Sequence, residues 1–581
     1  VVLHDIHGRV SNPITSNKTL INDNERGSTT IVDVKADCGL QSPIVKVEVW
    51  RDNFADITLV GTITQNLFGY RSRRGSAAWF LDRIEVEEVL KKHTSEDLTN
   101  GRNLCQPSEK NVESHKTVHR SAEGGRVWVF PLQRWVSAGR VYCIELHDCF
   151  LPQEDPNRES RQIDLQEKRK EYKYAQKVED GPAQIENLPS DEKFSDEYYW
   201  TFATEKMNLL ARTKLIEWTT NKWSTLDDLK KVFKQSLGEP EVYTPNDPPN
   251  TWLVAKMFYN NAEAQHHQAL THLGFTHLLM EGVVICTHRN LSPSHPLFKL
   301  MAPHFLFLLA INTRGLEKLV SPGGWVDVCM TQGVKGIFEL MKRGFDRWRF
   351  DREGQIEKEL EARGVLDTDI LPYYPYRDDG VPLYNAIKKY VTTVVTHHYD
   401  TADKLSQDWE LKWWRDELVK PRDSNGVGLK NVPGNSDGFT CVEEVIDVVT
   451  VIIATCSLGH SAANFQQYEQ YAFVPNYPGI LMADVPKEKV NYTEQEIMNL
   501  LPNKRMTLDI MVITKLLSSR GTNSLGDFEM QYLYDPVGVQ AAEEFQKDLK
   551  RLSLDMKKRN IDRDWKFEWL DPEIVPNSIS V

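Results

Sequence analysis

Hydrophobic spacing changes once along this chain, and that change limits the fold more than any other feature. In the first 150 residues the period is two. Val45, Val47 and Val49 alternate with Lys46 and Glu48, Ile84 and Val86 with Glu85 and Glu87, and Tyr142, Ile144 and Leu146 with Cys143, Glu145 and His147. Alternation with one polar face predicts antiparallel strands packed as a sandwich. The opening VVLHDIHGRV reads as an interrupted strand, and the polar, unpatterned stretch 91–125 as a long mobile insertion. The charged run 153–174 reads as a solvated linker or helix. From Phe194 onward helical spacing dominates, with amphipathic runs at 194–236, 251–312, 381–420, 440–470 and 538–560. The expected architecture is multidomain: a β-sandwich over 1–150, a linker over 151–193 and a large, mostly α-helical domain over 194–581.

Composition removes some functions. The chain has 581 residues, enough for two or more domains. Its net charge of 70 − 83 = −13 argues against a nucleic-acid binder. Eight cysteines are scattered singly, with no CxxC pair, which predicts reduced thiols and a cytoplasmic setting. No signal peptide opens the sequence. The longest apolar stretch, Phe305 to Ile311, is far short of the roughly 20 residues of a membrane-spanning helix. The chain is expected to be soluble, or at most to attach peripherally to a membrane surface. Trp50 and Trp79 are candidates for that contact, with a core role favoured for Trp79.

Seven of the 16 histidines fall between 266 and 304, where uniform scatter would place about one. His267, His272 and His277 are spaced by five. Five residues advance an α-helix by roughly 140°, so these side chains diverge unless a local π-turn realigns them. Either the helix is bulged and two histidines share a metal, or they face apart. A second element, His460-Ser461-Ala462-Ala463-Asn464, has the i, i+4 spacing of one helix face. Imidazole suits several transition metals, so spacing alone does not name the ion. The zinc-protease pattern HExxH is absent.

The segment WLVAKMFYNNAEAQHHQALTHLGFTHLLMEGVVICTHRNLSPSHPLFKLMAPHF, residues 252–305, resembles the central iron-binding helix of lipoxygenases. TRGLEKLV at 313–320, YYPYRDDGVPLY at 373–384, CSLGHSAANFQQYEQYAFVPNYPGIL at 456–481 and the terminal VPNSISV continue the likeness. NERGSTTIVDV, WFLDRIEV and VWVFPLQRWV are similar to the family's N-terminal β-sandwich, the PLAT module, with its usual first strands missing ahead of Val1. The resemblance implies one non-heme iron per chain, held by His272, His277, His460, Asn464 and the terminal carboxylate of Val581. His267 matches a histidine that does not ligate. Gln268 and Gln467 match glutamines that orient the ligands. No calcium ligand carries over to the sandwich.

The implied reaction takes a hydrogen atom from a methylene between two cis double bonds of a polyunsaturated fatty acid resembling arachidonate. Dioxygen then adds to give a hydroperoxide. Gly315 falls where R-specific lipoxygenases carry Gly and S-specific ones Ala, so an R product is expected. Leu319 matches a leucine that clamps substrate, with Ile513 as a candidate partner; plain core fits both equally and is the favoured reading of Ile513. Arg314 is a candidate partner for the fatty-acid carboxylate, and a solvated arginine fits it equally. Three features depart from the family pattern. Only about thirty residues separate Trp223 from Trp252, where the family has a much longer segment. The run after 330 reads MTQGVKGI, and Leu316 replaces a usual arginine. These departures keep two other readings open, a lipoxygenase-fold hydroperoxide isomerase and an inactive metal- or lipid-binding relative.

Overall fold

The computed structural model describes residues 1–14, 40, 43–50, 79–87, 119–120, 126–136, 140–177, 181–195, 198, 204, 207 and 243–581 except 487 and 488. The expected insertion at 91–125 and helical run at 194–236 lie almost entirely outside these residues. The described chain divides into two compact units. The first is Val1–Asp164 with Pro293–Lys299 and Tyr532–Gln540; the second is Leu165–Ser292, Leu300–Gln531 and Ala541–Val581.

In the first unit, period-two alternation does produce strands. β1 (Val2–Asp5), β2 (Ile44–Val49) and β6 (Tyr142–Glu145) form one antiparallel sheet in the order β1-β2-β6. β3 (Trp79–Glu87), β4 (His119–Arg120) and β5 (Arg126–Val136) form another in the order β3-β5-β4. Leu3, Val47 and Ile144 from the first sheet share one apolar core with Trp128, Phe130 and Leu132 from the second. Removing each such side chain from water contributes roughly 1.5–3 kcal/mol, so the shared core holds the sheets face to face. Trp50, just past β2, is 40% exposed.

The charged run does not form a fully solvated linker. It folds into α1 (Arg158–Glu171), in which Arg161, Asp164 and Leu165 are buried. Its Arg169 side chain donates to the carbonyl of Arg289 at 2.9 Å.

The second unit is helical. α2 (Pro249–His266) begins with Pro249 at a first-turn position, where its missing N–H costs nothing. It runs without interruption into a π-helix, π1 (His267–Leu278), and then α3 (Leu279–Asn290). α4 (Leu308–Lys318) packs against π1. α5 (Pro375–His398) packs against α6 (Val442–Ala454). α6 is rich in Val and Ile, poor helix formers; nine of its residues are buried, so packing overrides propensity. A second π-segment, π2 (Thr455–Gly459), leads into α7 (His460–Asn464) and α8 (Gln467–Tyr471). α9 (Lys504–Leu517) packs on α8, and α10 (Pro536–Ile561) precedes the tail.

Among the described residues two helices, Pro249–Asn290 and Val442–Tyr471, are long and apolar enough to cross a membrane by length and composition. The apolar run at 305–311 therefore understated the chain's apolar helices. Their most apolar windows are 83% and 78% buried inside the protein, so their apolar surface is satisfied by neighbouring helices. None of the cysteines among the described residues is in a disulfide.

Candidate metal centre

The five-residue spacing is resolved by the backbone. Throughout π1 the helix is wound in the wider π form, which returns residues i and i+5 to one face. His272 and His277 consequently point together, and their rings meet edge-on with centroids 5.0 Å apart. π1 packs against both π2 and α7. That contact brings in His460, whose Nε2 lies 3.1 Å from the Nε2 of His277. One ring nitrogen from each of His272, His277 and His460 falls within a 4.8 Å cluster, and all three residues are buried.

Burial decides the charge of these rings. Desolvation pushes His277 down to about 4, against a hydrogen bond with Asn312 that favours the charged form. Desolvation, reinforced by the neighbouring histidines, carries His272 and His460 well below the ordinary histidine range. A main-chain oxygen of Val581 beside His460 works the other way. Near neutral pH the centre therefore presents uncharged imidazoles with lone pairs available.

The surrounding amides fix the rings. Gln268 sets its Oε1 3.1 Å from Nδ1 of His272, and its Nε2 donates to Gln467 Oε1 at 2.8 Å. Gln467 Nε2 donates to Asn464 Oδ1 at 2.8 Å. Asn464 lies one turn after His460 and donates its own Nδ2 to the carbonyl of Leu517 at 2.5 Å. The Asn464 carbonyl is thereby held on the side of α7 that carries His460. His267 takes no part. Its Nδ1 meets the Tyr471 hydroxyl at 2.5 Å, and its ring stacks on that tyrosine.

Val581 is buried at the end of a tail tied down residue by residue. Asn577 receives the Nδ1 proton of His304 on its carbonyl at 2.8 Å, and its amide donates to the carbonyl of Asp527 at 2.6 Å. Ser578 donates to the carbonyl of Leu306 at 2.8 Å, and the Tyr198 hydroxyl donates to the carbonyl of Ser580.

These residues fit a metal ion. Imidazole–metal bonds of about 2.0–2.1 Å place cis nitrogens about 3 Å apart, close to the 3.1 Å between His277 and His460. Nε2 of His272 is buried with no hydrogen-bond partner among the described residues. Left alone, that lone pair is an uncompensated cost. Three neutral imidazole nitrogens form a donor set of low charge, suited to a first-row transition metal.

A family model described as Lipoxygenase matches residues 235–569, more than half of the 581. The chain belongs to the lipoxygenase family. It is 32% identical over 351 residues to an allene oxide synthase-lipoxygenase protein of Plexaura homomalla, covering 59% of this chain and 32% of that protein. It is 31% identical over 352 residues to the polyunsaturated fatty acid lipoxygenase ALOX15B of Rattus norvegicus, covering 60% and 51%. The matched stretch thus spans about half or less of these relatives. The crystal structure of coral 8R-lipoxygenase, described as having a C2-like domain, superposes with a TM-score of 0.78 at 22% identity, covering 100% of this chain and 97% of that one. That likeness establishes the lipoxygenase fold, with a β domain before the helical one.

The remaining predicted residues of this lipoxygenase-family chain sit as follows. Gly315 lies on α4, three residues after Asn312, the residue that bonds His277. Leu319 ends that helix, seven residues after Asn312, and its N–H donates to the carbonyl of Gly315 at 2.7 Å. Spacings of three and seven keep both on the face that Asn312 turns toward the histidines. A Cβ added at Gly315 would meet nothing within 4 Å. Arg314 is half-buried on the same helix, and Ile513 is half-buried on α9. Sequence reasoning missed Asn312, Glu281 and Tyr471. Glu281 carried a signal, being an acid inside the apolar run LLMEGVV.

Proposed function

We propose that this lipoxygenase-family chain is a fatty-acid dioxygenase that binds one non-heme iron through His272, His277, His460, Asn464 and the Val581 carboxylate. It converts a polyunsaturated fatty acid, RH, and dioxygen to a hydroperoxide, ROOH, of R configuration. The observation that carries this reading is the convergence of three buried imidazoles whose nitrogens lie within 4.8 Å of one another, two of them at 3.1 Å, the spacing of cis ligands. When bound, iron supplies the one-electron chemistry needed to remove a hydrogen atom from a methylene flanked by two double bonds.

The chain's own residues do the rest. Gln268 and Gln467 hold His272 and Asn464 in orientation, so the ligands need little rearrangement when the metal enters. Burial of the centre keeps water and stray protons away from a radical substrate. No side-chain acid or base is needed. Gly315 leaves open space where a methyl would stand, on the helix face turned toward the metal ligands. That space is the room we assign to dioxygen approaching one end of the pentadiene, which supports the R assignment. Leu319, on the same face, supplies an apolar contact for the substrate chain.

Incubating the iron-loaded protein with arachidonate in air, followed by chiral chromatography, tests the proposal. One R hydroperoxide formed with equimolar oxygen uptake supports it. Consumption of added hydroperoxide without oxygen uptake would replace it with the isomerase reading. No reaction of iron-loaded protein with either substrate would leave the inactive relative.

A further inference from the structure

Glu281, in the first turn of α3, is 1% exposed, and its carboxylate is bound by two donors. Ile185 N–H donates to Oε1 at 2.8 Å, and Asn312 Nδ2 donates to Oε2 at 2.9 Å. Burial pushes this carboxyl up to about 7, so two hydrogen bonds do not fully offset its desolvation. A group kept in place at such a cost calls for a reason.

Asn312 supplies one. An amide is nearly symmetric in shape, and only its partners decide which end is oxygen. Nδ2 of Asn312 faces two acceptors, the main-chain carbonyl of His277 at 2.8 Å and Glu281 Oε2. Both demand a donor, so the amide is locked with Oδ1 toward the His277 ring, 2.8 Å from Nδ1. An oxygen there accepts only from a protonated Nδ1. The lone pair of His277 is then confined to Nε2, the nitrogen that faces His460.

We propose that Glu281 is a positioning residue that locks the Asn312 amide and through it holds His277 in the Nδ1-protonated tautomer, leaving Nε2 bare for the metal. The proposal rests on the reading of His277 as a ligand, yet the tautomer itself is a property of the metal-free protein. The rival role for Glu281 is purely structural, tying Ile185 to α3.

The test uses the 581-residue chain with histidine labelled with ¹⁵N. In metal-free wild type, His277 shows a single Nδ1-protonated tautomer. In Glu281→Gln one amide end meets a donor as a donor, and the Asn312 lock weakens. His277 then becomes a mixture of tautomers, and iron affinity falls about 10- to 100-fold, while circular dichroism stays unchanged. In an Asn312→Ala background, Glu281→Gln adds no further loss of affinity, because its effect runs through Asn312. If Glu281→Gln does not fold, Glu281→Met removes the same acceptor without a buried charge and is read the same way. A single Nδ1-protonated His277 in the glutamate variant, or full additivity in the double variant, overturns the proposal. A correct tautomer shift with no iron bound by the wild type would instead leave this proposal standing and remove the metal reading.

Discussion

The Nε2 atoms of His277 and His460 face each other at 3.1 Å across two different helices. Both rings are held neutral by burial. Two bare lone pairs at that separation repel unless a cation or a proton lies between them. A metal that binds only the folded state therefore stabilises it. At ferrous iron one hundred times its dissociation constant the gain is about 2.7 kcal/mol. Thermal unfolding of the chelated protein, with and without restored iron, reads this. His460→Ala is expected to abolish the shift, and an iron-induced shift that survives His460→Ala would show the metal bound elsewhere.

In the proposed ligand set Val581 acts through its main-chain carboxylate, so its side chain would be replaceable and its terminus would not. The anchors at Asn577 and Ser578 remain when the last residue is deleted. Deleting Val581, or extending the chain by one glycine, is expected to remove bound iron while leaving metal-free stability close to wild type. Val581→Ile is expected to keep its iron. Metal analysis of the three purified variants decides the matter; equal iron in all three would exclude the carboxylate.

Gly315→Ala carries two expectations with opposite signs. An added methyl meets nothing within 4 Å, and Ala is the better helix former by up to about 1 kcal/mol. Stability is therefore expected to hold or rise. Product chirality is expected to shift toward S, read by chiral chromatography of the hydroperoxide. A stabilised variant with unchanged R product would leave Gly315 without a role in stereocontrol.

Acid is expected to weaken the tail. Burial pushes His304 down to about 4, and its Nδ1 proton is donated to Asn577. Below pH 6.5 the unfolded chain takes up a proton that folded His304 refuses, so its contribution is lost as pH falls from 6.5 toward 4. The loss is at most about 1.4 kcal/mol per pH unit. Glu281 and Glu192, both raised to about 7 by burial, contribute in the opposite sense over 4.5 to 7. Comparing metal-free wild type with His304→Gln isolates the histidine. The variant is expected to show a shallower fall in stability between pH 6.5 and 4, and parallel curves would count against this account.

The strands at Ile44–Val49 and Trp79–Glu87 were legible because a half-buried sheet leaves a period of two, one polar face against one apolar face. The spacing of His272 and His277 was readable only as a choice. Local sequence does not reveal whether an apolar helix winds as α or π; the π form is the one found, in a segment packed against π2 and α7. The charged run 153–174 left linker and helix open; it is a helix, and its burial was hidden because Leu165 and Tyr172 lie among residues whose charges are paired. Asn312 and Glu281 were beyond reach for another reason. Their roles arise from a contact across 31 residues of chain, between side chains that no period connects.

Iron is proposed to be held by three imidazoles, an amide oxygen and the terminal carboxylate. X-ray absorption at the iron edge of the purified, iron-loaded chain tests it most directly. One iron per chain in a shell of nitrogen and oxygen donors is expected, with the outer scattering of three imidazoles reduced to two in His272→Ala. A sulfur donor in that shell, or three imidazoles persisting in His272→Ala, would contradict it.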